Sequence, residues 1–252
     1  MISKAKIRLI RSLEMKKQRD AHRLFVAEGN KLVADMTGVF ECEWMLAATP
    51  WMAAQGHIPA RELIVADEGD IRRASLLQHP QEDVLALFRL PAYDLGEADP
   101  AHQLILVLDG VRNPGNMGTL VRVADWFGIA HVVCSTDSAD VFAPKAVQAT
   151  MGALAHVAVH YADLEPYLGK YRDAPVYGTF TEGDNIYEKT LSPSGIIVMG
   201  NEGAGIRPSV EALVRERLCI PSYPAGRATS ESLNVAVAAA VICSEFRRRT
   251  DA

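Results

Sequence analysis

The run "QLILVLDGV", Gln103 to Val111, constrains this chain most. Its apolar residues follow one another without the polar alternation of a half-exposed strand, so it reads as a strand buried on both faces of a parallel sheet. Parallel strands need crossover connections, usually helices. The sequence downstream provides them. Strands are expected at "AHVVCS", "AHVAVHY", "APVYGTF", "GIIVMG" and "LCIPS", with helices near "PKAVQATMGAL", "DLEPYLGKY", "PSVEALVRER" and from about Ser232 onward. This alternation implies an α/β fold, a mainly parallel sheet with helices on both faces. Ligands of such sheets bind beyond the C-terminal strand ends. Three of those ends carry unusual polar loops, "DGVRNPGNMG", "MGNEGAG" and "IPSYPAGRATSESLN".

Upstream lies a smaller α/β unit. It reads as a helix over about residues 3 to 18, strand "RLFVAEG", helix "NKLVADMTG", strands "EWMLAAT" and "ELIVAD", helix "IRRASLLQ" and strand "DVLALFRL". The Pro-, Gly- and acid-containing "PAYDLGEADPAH", Pro91 to His102, marks a linker. Two domains are expected, residues 1–98 and 99–252.

A chain of 252 residues that is 49% hydrophobic can bury a substantial core. Its net charge of −5 is unevenly spread, because residues 1–31 hold nine Lys and Arg (Lys4, Lys6, Arg8, Arg11, Lys16, Lys17, Arg19, Arg23, Lys31) against three acids. A basic end on an acidic body suits a polyanion through counterion release, or is simply a solvated helix face. The apolar stretch "SLNVAVAAAVIC" is too short to span a bilayer, and the N-terminus lacks an apolar signal core, so a cytoplasmic protein is expected. Cys42, Cys134, Cys219 and Cys243 form no C-x-x-C pair; buried free thiols are expected, and no metal site.

Taken singly, the three loops have ordinary readings. Asn116 can be a helix N-cap and Arg122 a surface residue. "GNEGAG" can be a glycine-rich turn, and Ser230 or Ser232 a cap for the Ala/Val-rich last helix. Asn234, inside that apolar helix start, either satisfies neighbouring backbone or faces a site. No standard phosphate loop is present, since neither G-x-x-x-x-G-K-[ST] nor G-x-G-x-x-G occurs in the first loop.

Taken together and in order, N-x-G-x-x-x-R, then a strand followed by G-N-E-G-x-G, then I-P followed by S-L-N-V, the loops resemble the three motifs of the SpoU (TrmH) family. These are RNA 2′-O-ribose methyltransferases of the SPOUT class, and the resemblance covers about residues 103 to 249. "KQRDAHRLFVAEGNKLVADM" is similar to the start of the ribosomal-protein-like substrate-binding domain often fused to them. The resemblance implies a C-terminal domain with a deep trefoil knot, S-adenosylmethionine as cofactor, and a homodimer with the site near the subunit interface. It also implies cofactor contacts at Gly200, Ile220 and Leu233, a loop shaped by Asn201, Glu202 and Gly203, and catalytic roles for Asn116, Arg122, Glu202, Ser232 and Asn234. One departure is the longer "SYPAGRATSE" between Pro221 and Ser232.

Methyl transfer of this kind is an in-line attack by a ribose oxygen on a sulfonium methyl and needs no metal. The family gives its motif-one arginine, here Arg122, the activating role. A guanidinium has a pKa above about 12, so gripping a phosphate and stabilising a developing alkoxide is physically easier for it than deprotonation. Ribosomal RNA is the expected substrate. The alternatives are a tRNA ribose methyltransferase and a non-catalytic RNA-binding protein of the same fold.

Overall fold

The computed structural model describes residues 2–55, 57–80, 83–224 and 230–248. It divides into two compact units, Met1–Ala92 with Asp140–Ala155, and Tyr93–Ala139 with His156–Ala252. The linker composition suggests one boundary near residue 98. By packing, the chain passes to the second unit at residue 93 and returns residues 140–155 to the first.

The first unit runs α1 (Lys4–Ser12), α2 (Lys16–His22), β1 (Leu24–Glu28), α3 (Asn30–Met36), β2 (Cys42–Ala47), α4 (Thr49–Ala54), β3 (Ala60–Val65), α5 (Glu68–Ala74) and β4 (Val84–Arg89). The sheet order is β1-β4-β2-β3, antiparallel except for the β2–β3 pair. Alternation along β1 sends Leu24 and Val26 to one core, with Ile10, Leu13, Ile71 and Leu87. Phe25 faces the other way, against Phe40, Phe88 and, at 4.9 Å between ring centroids, Phe142.

The single helix expected over residues 3 to 18 is broken, and Arg19 explains how the break is stabilised. Leu13 turns wholly into the core, and the buried Arg19 donates to the carbonyl oxygens of Leu13 and Glu14, both at 2.7 Å. Its guanidinium also pairs with Asp140 at 2.6 Å. Arg19 therefore belongs to the interior and not to a basic surface.

The second unit contains β5 (Leu104–Leu108), α6 (Pro114–Trp126), β6 (His131–Ser135), β7 (Ala158–Ala162), α8 (Leu164–Lys170), β8 (Val176–Phe180), β9 (Asp184–Asn185), β10 (Gly195–Met199), α9 (Pro208–Glu211), β11 (Glu216–Cys219) and α10 (Val235–Arg248). The segment expected as a helix near residues 144–154 forms α7 (Pro144–Thr150) in the first unit. The seven strands lie in the order β7-β6-β5-β10-β8-β11-β9, every neighbouring pair parallel. β5 and β10 sit side by side at the centre and are buried throughout.

Several boundaries move for visible reasons. The helix expected over "PSVEALVRER" stops at Glu211, because the Arg215 N–H bonds to Val176 O and the chain joins the sheet as β11. The linker is packed down: Ala98 is buried and its carbonyl accepts from the Tyr167 hydroxyl at 2.8 Å. Cys42, Cys134 and Cys243 are buried free thiols as expected, whereas Cys219 is half-buried.

Candidate active site

Three loops leave the C-terminal ends of β5, β10 and β11 in the second unit. The first begins with Asp109, whose N–H bonds to Met199 O as the last rung between β5 and β10. Gly110 follows with φ +69°, a left-handed turn that favours glycine. The helix cap is Asn113, not Asn116: Asn113 Oδ1 accepts from the N–H groups of Gly115 at 2.8 Å and Asn116 at 3.2 Å, and Pro114 occupies the first helical turn. Because Asn113 does the capping, the Asn116 side chain is left for other partners.

Those partners come from the other two loops. Asn116 Nδ2 donates to Glu202 Oε1 at 2.5 Å, and Asn116 Oδ1 accepts from Asn234 Nδ2 at 3.2 Å. Asn234 caps α10, its Oδ1 accepting from the N–H groups of Ala236 and Val237. The last helix therefore starts at Val235 rather than Ser232, and Asn234 satisfies neighbouring backbone while its amide also reaches Asn116.

The middle loop is folded by its own residues. A Cβ on Gly200 would strike the Gly205 carbonyl carbon and the Ile206 nitrogen, so only glycine fits this neck. Asn201 exchanges both backbone hydrogen bonds with Gly205, at 2.9 Å each. Its Oδ1 accepts from Gly203 and Ala204, both at 3.0 Å, and its Nδ2 donates to Gly110 O at 2.7 Å. The side-chain amide of Asn201 is thus spent on shaping the loop and tying it to the first.

The remaining predicted residues stand apart from this network. Arg122 is exposed on α6, and no hydrogen bond or ion pair holds it among the described residues. Ser232 and Leu233 are exposed just ahead of α10, with Leu233 49% accessible, and Ile220 is half-buried at the end of β11. The centre of the long third loop, residues 225–229, lies outside the described residues. Among the described residues no cluster of His, Cys, Asp or Glu could hold a metal ion.

Sequence reasoning passed over a charged group at the same strand ends. Arg207 reaches Asp109 and Asp137, while Ser135 Oγ takes the Gly110 N–H at 2.9 Å and donates to Asp137 at 2.8 Å. The Arg207 hydrogen bond, then that from Ser135, holds the Asp137 carboxyl well below the usual carboxylate range. Asp109, directly after the apolar β5 run, was the one legible signal.

Residues 103–244 match the model of the SpoU rRNA Methylase family. The chain belongs to that family. Residues 4–86 match the MRM3-like substrate binding domain. Among characterised relatives, the chain is 29% identical over 246 residues to the 23S rRNA (guanosine(2553)-2'-O)-methyltransferase RlmP of Bacillus subtilis, covering 96% of each. It is 32% identical over 159 residues, 58% of each chain, to the 23S rRNA (guanosine-2'-O-)-methyltransferase RlmB of Neisseria meningitidis. Among solved structures, a TrmH-family chain from Porphyromonas gingivalis superposes with a TM-score of 0.90 at 41% identity over 99% of both chains. An AdoMet-bound rRNA methyltransferase from Sinorhizobium meliloti gives 0.83 at 29% identity, over 98% of this chain and 96% of that one. These matches make the three loops of this SpoU chain, joined at Asn116, the candidate active site.

Proposed function

We propose that this chain transfers the methyl group of S-adenosylmethionine to a 2′-hydroxyl of ribosomal RNA. The observation that carries the reading is the junction at Asn116. One side chain receives Asn234 and donates to Glu202, so residues 116, 202 and 234, far apart in the chain, share one hydrogen-bonded chain. Similarity to RlmP along nearly the whole length supports ribosomal RNA over tRNA.

The residues present fit the cofactor. Loop 200–205 turns over a neck without side-chain bulk, Ile220 is half-buried just after β11 and Leu233 presents uncovered apolar surface ahead of α10, the mix of backbone polarity and apolar contact that a nucleoside pocket uses. Gly200, Gly203, Ile220 and Leu233 would hold it, with Asn201 setting the loop. When bound, S-adenosylmethionine supplies a sulfonium methyl. The protein's task is to orient and activate the hydroxyl, and orientation alone removes roughly 7–11 kcal/mol of barrier in the best cases. Asn116, locked between Glu202 and Asn234, and Ser232 orient the ribose. Arg122, exposed and without an internal partner, is available to grip the RNA phosphate and stabilise the developing alkoxide.

Substrate affinity comes from the first unit. Lys4, Arg8 and Arg11 are exposed at i, i+4 and i+7, one solvent stripe of α1, whereas Lys6 pairs with Glu62, Lys16 with Asp20, Lys31 with Asp35 and Arg19 with Asp140. The phosphate-facing charge is thus narrower than the basic end counted in sequence. Dimerisation is supported by Trp126 on α6 and Val237 on α10, 82% and 52% exposed. The strand order β5-β10-β8-β11, with α10 packed back on α6, supports the knot.

The test is methyl transfer from labelled cofactor to ribosomal RNA and tRNA, with mass-spectrometric location of the 2′-O-methyl group. Labelling of one rRNA ribose is the expected result. Cofactor binding without transfer to either RNA would overturn the catalytic reading, and transfer to tRNA alone would overturn the substrate.

A further inference from the structure

Beyond the Asp109–Met199 rung, the paired strands β5 and β10 diverge into the loops that carry Asn116 and Glu202. Nothing in the ladder fixes how those loops meet. Among the described residues, besides the Asn201–Gly110 and Asn116–Glu202 bonds, the fastening is Arg207. Its backbone N–H donates to Asp109 Oδ2 at 2.8 Å, and its Nε lies 2.6 Å from Asp109 Oδ1 in an ion pair without hydrogen-bond alignment. Its Nη2 donates to Asp137 Oδ1 at 2.7 Å. Asp137 in turn receives Ser135 Oγ and, at 3.2 Å, Arg112 from the first loop.

We infer that Arg207 is a positioning residue: by bridging Asp109 and Asp137 it clamps the loop after β10 onto the loop after β5, and so holds Glu202 against Asn116. The clamp is mechanically suited to this. Arg207 ends the middle loop, directly after the buried Ile206 and directly before α9, so the loop is held at its Gly200 neck and again at Arg207. Gly110 runs through the clamp, where a Cβ would meet Arg207 Nη2 at 3.7 Å and Asp137 Oδ2 at 3.8 Å. A planar guanidinium presents its donors in a fixed fork that suits Asp109 and Asp137 on either side; an ammonium is a compact point charge without that geometry. Asp109, 1% exposed at its side chain, depends on Arg207 for its counter-charge.

This inference rests on the methyltransferase reading for its kinetic part and is independent of it for its structural part. In the free protein, Arg207→Ala and the gentler Arg207→Lys and Asp137→Asn should each speed amide exchange in residues 109–113 as well as 200–207, the alanine variant by at least about tenfold, and leave α8 unchanged. In steady-state assays Arg207→Lys should lower kcat by about tenfold with KM for RNA unchanged, and combining it with Glu202→Gln should cost no more than the larger single loss. Exchange that rises only next to residue 207, or losses that multiply, would overturn the inference. A wild-type protein that transfers no methyl group would sink the functional reading alone, because the exchange measurement would still decide the clamp.

Discussion

The two sheets of this molecule put their polar chemistry in different places. The seven-stranded sheet is wholly parallel, so each strand re-enters from the same side and every C-terminal loop opens at one rim. Asn116, Glu202 and Asn234 come from loops far apart in the chain and meet there. The four-stranded sheet is mostly antiparallel, and its strand ends gather no such rim. Part of that unit's positive charge lies on a helix surface, where Lys4, Arg8 and Arg11 follow from helical spacing alone. A rim assembled from distant loops suits chemistry that needs fixed geometry. A helix stripe suits attraction to a repeating polyanion, which tolerates loose geometry.

The sharpest way to break this contrast is at Arg122. Arg122→Ala should lower single-turnover methylation by at least about 10²-fold with cofactor affinity, measured by calorimetry, nearly unchanged. An unaltered rate would remove Arg122 from the chemistry.

Gly200→Ala should come next. The added Cβ meets backbone at Gly205 and Ile206, which no rotamer change relieves, so the loop must open. Cofactor affinity should drop by about tenfold or more, and urea denaturation should show a loss of about 1–3 kcal/mol. A variant that binds cofactor normally would show that the neck is not part of the pocket.

The helix stripe should behave differently. Neutralising Lys4, Arg8 and Arg11 together to Gln should weaken RNA binding several-fold and flatten its salt dependence by about two to three units of slope, leaving cofactor binding intact. An unchanged salt slope would move the RNA surface elsewhere in the unit.

The smallest effect should belong to neither the loop rim nor the helix stripe. His160 in β7 is buried beside His131, with their rings stacked and nitrogens 3.1 Å apart. Burial first, then the neighbouring His131, pushes its imidazole down to about 4 from the ordinary 6.5. The unfolded chain therefore takes up a proton that the folded one refuses as pH falls from about 6.5 to about 4, and stability declines across that window. Urea midpoints at pH 7 and pH 5 should differ less in His160→Gln than in wild type.

Much of this was legible in the residues themselves. Five consecutive apolar residues in β5 announced a two-sided parallel strand, and the Asn, Gly and Glu of three loops announced a candidate site at strand ends. These signals are local, written in hydrophobic period and turn chemistry. Other features were not local. The helix break at Leu13 depends on Arg19, whose buried place depends in turn on Asp140, more than a hundred residues away. The capping role passed from Asn116 to Asn113, three residues earlier, because only the cap nearer the strand frees Asn116 to meet Glu202 and Asn234.

Sequence by itself determined the class of fold, the order of the three loops and the residue types each could offer, since periodicity and backbone preference act within a few residues. Tertiary structure decided which of those side chains meet. It placed residues 140–155 with the first unit, withdrew Arg19 from the charged surface and brought Arg207 between Asp109 and Asp137. The physical reason is that hydrogen bonds and ion pairs act over a few ångströms, and the distances between residues remote in sequence exist only once the strands are in register.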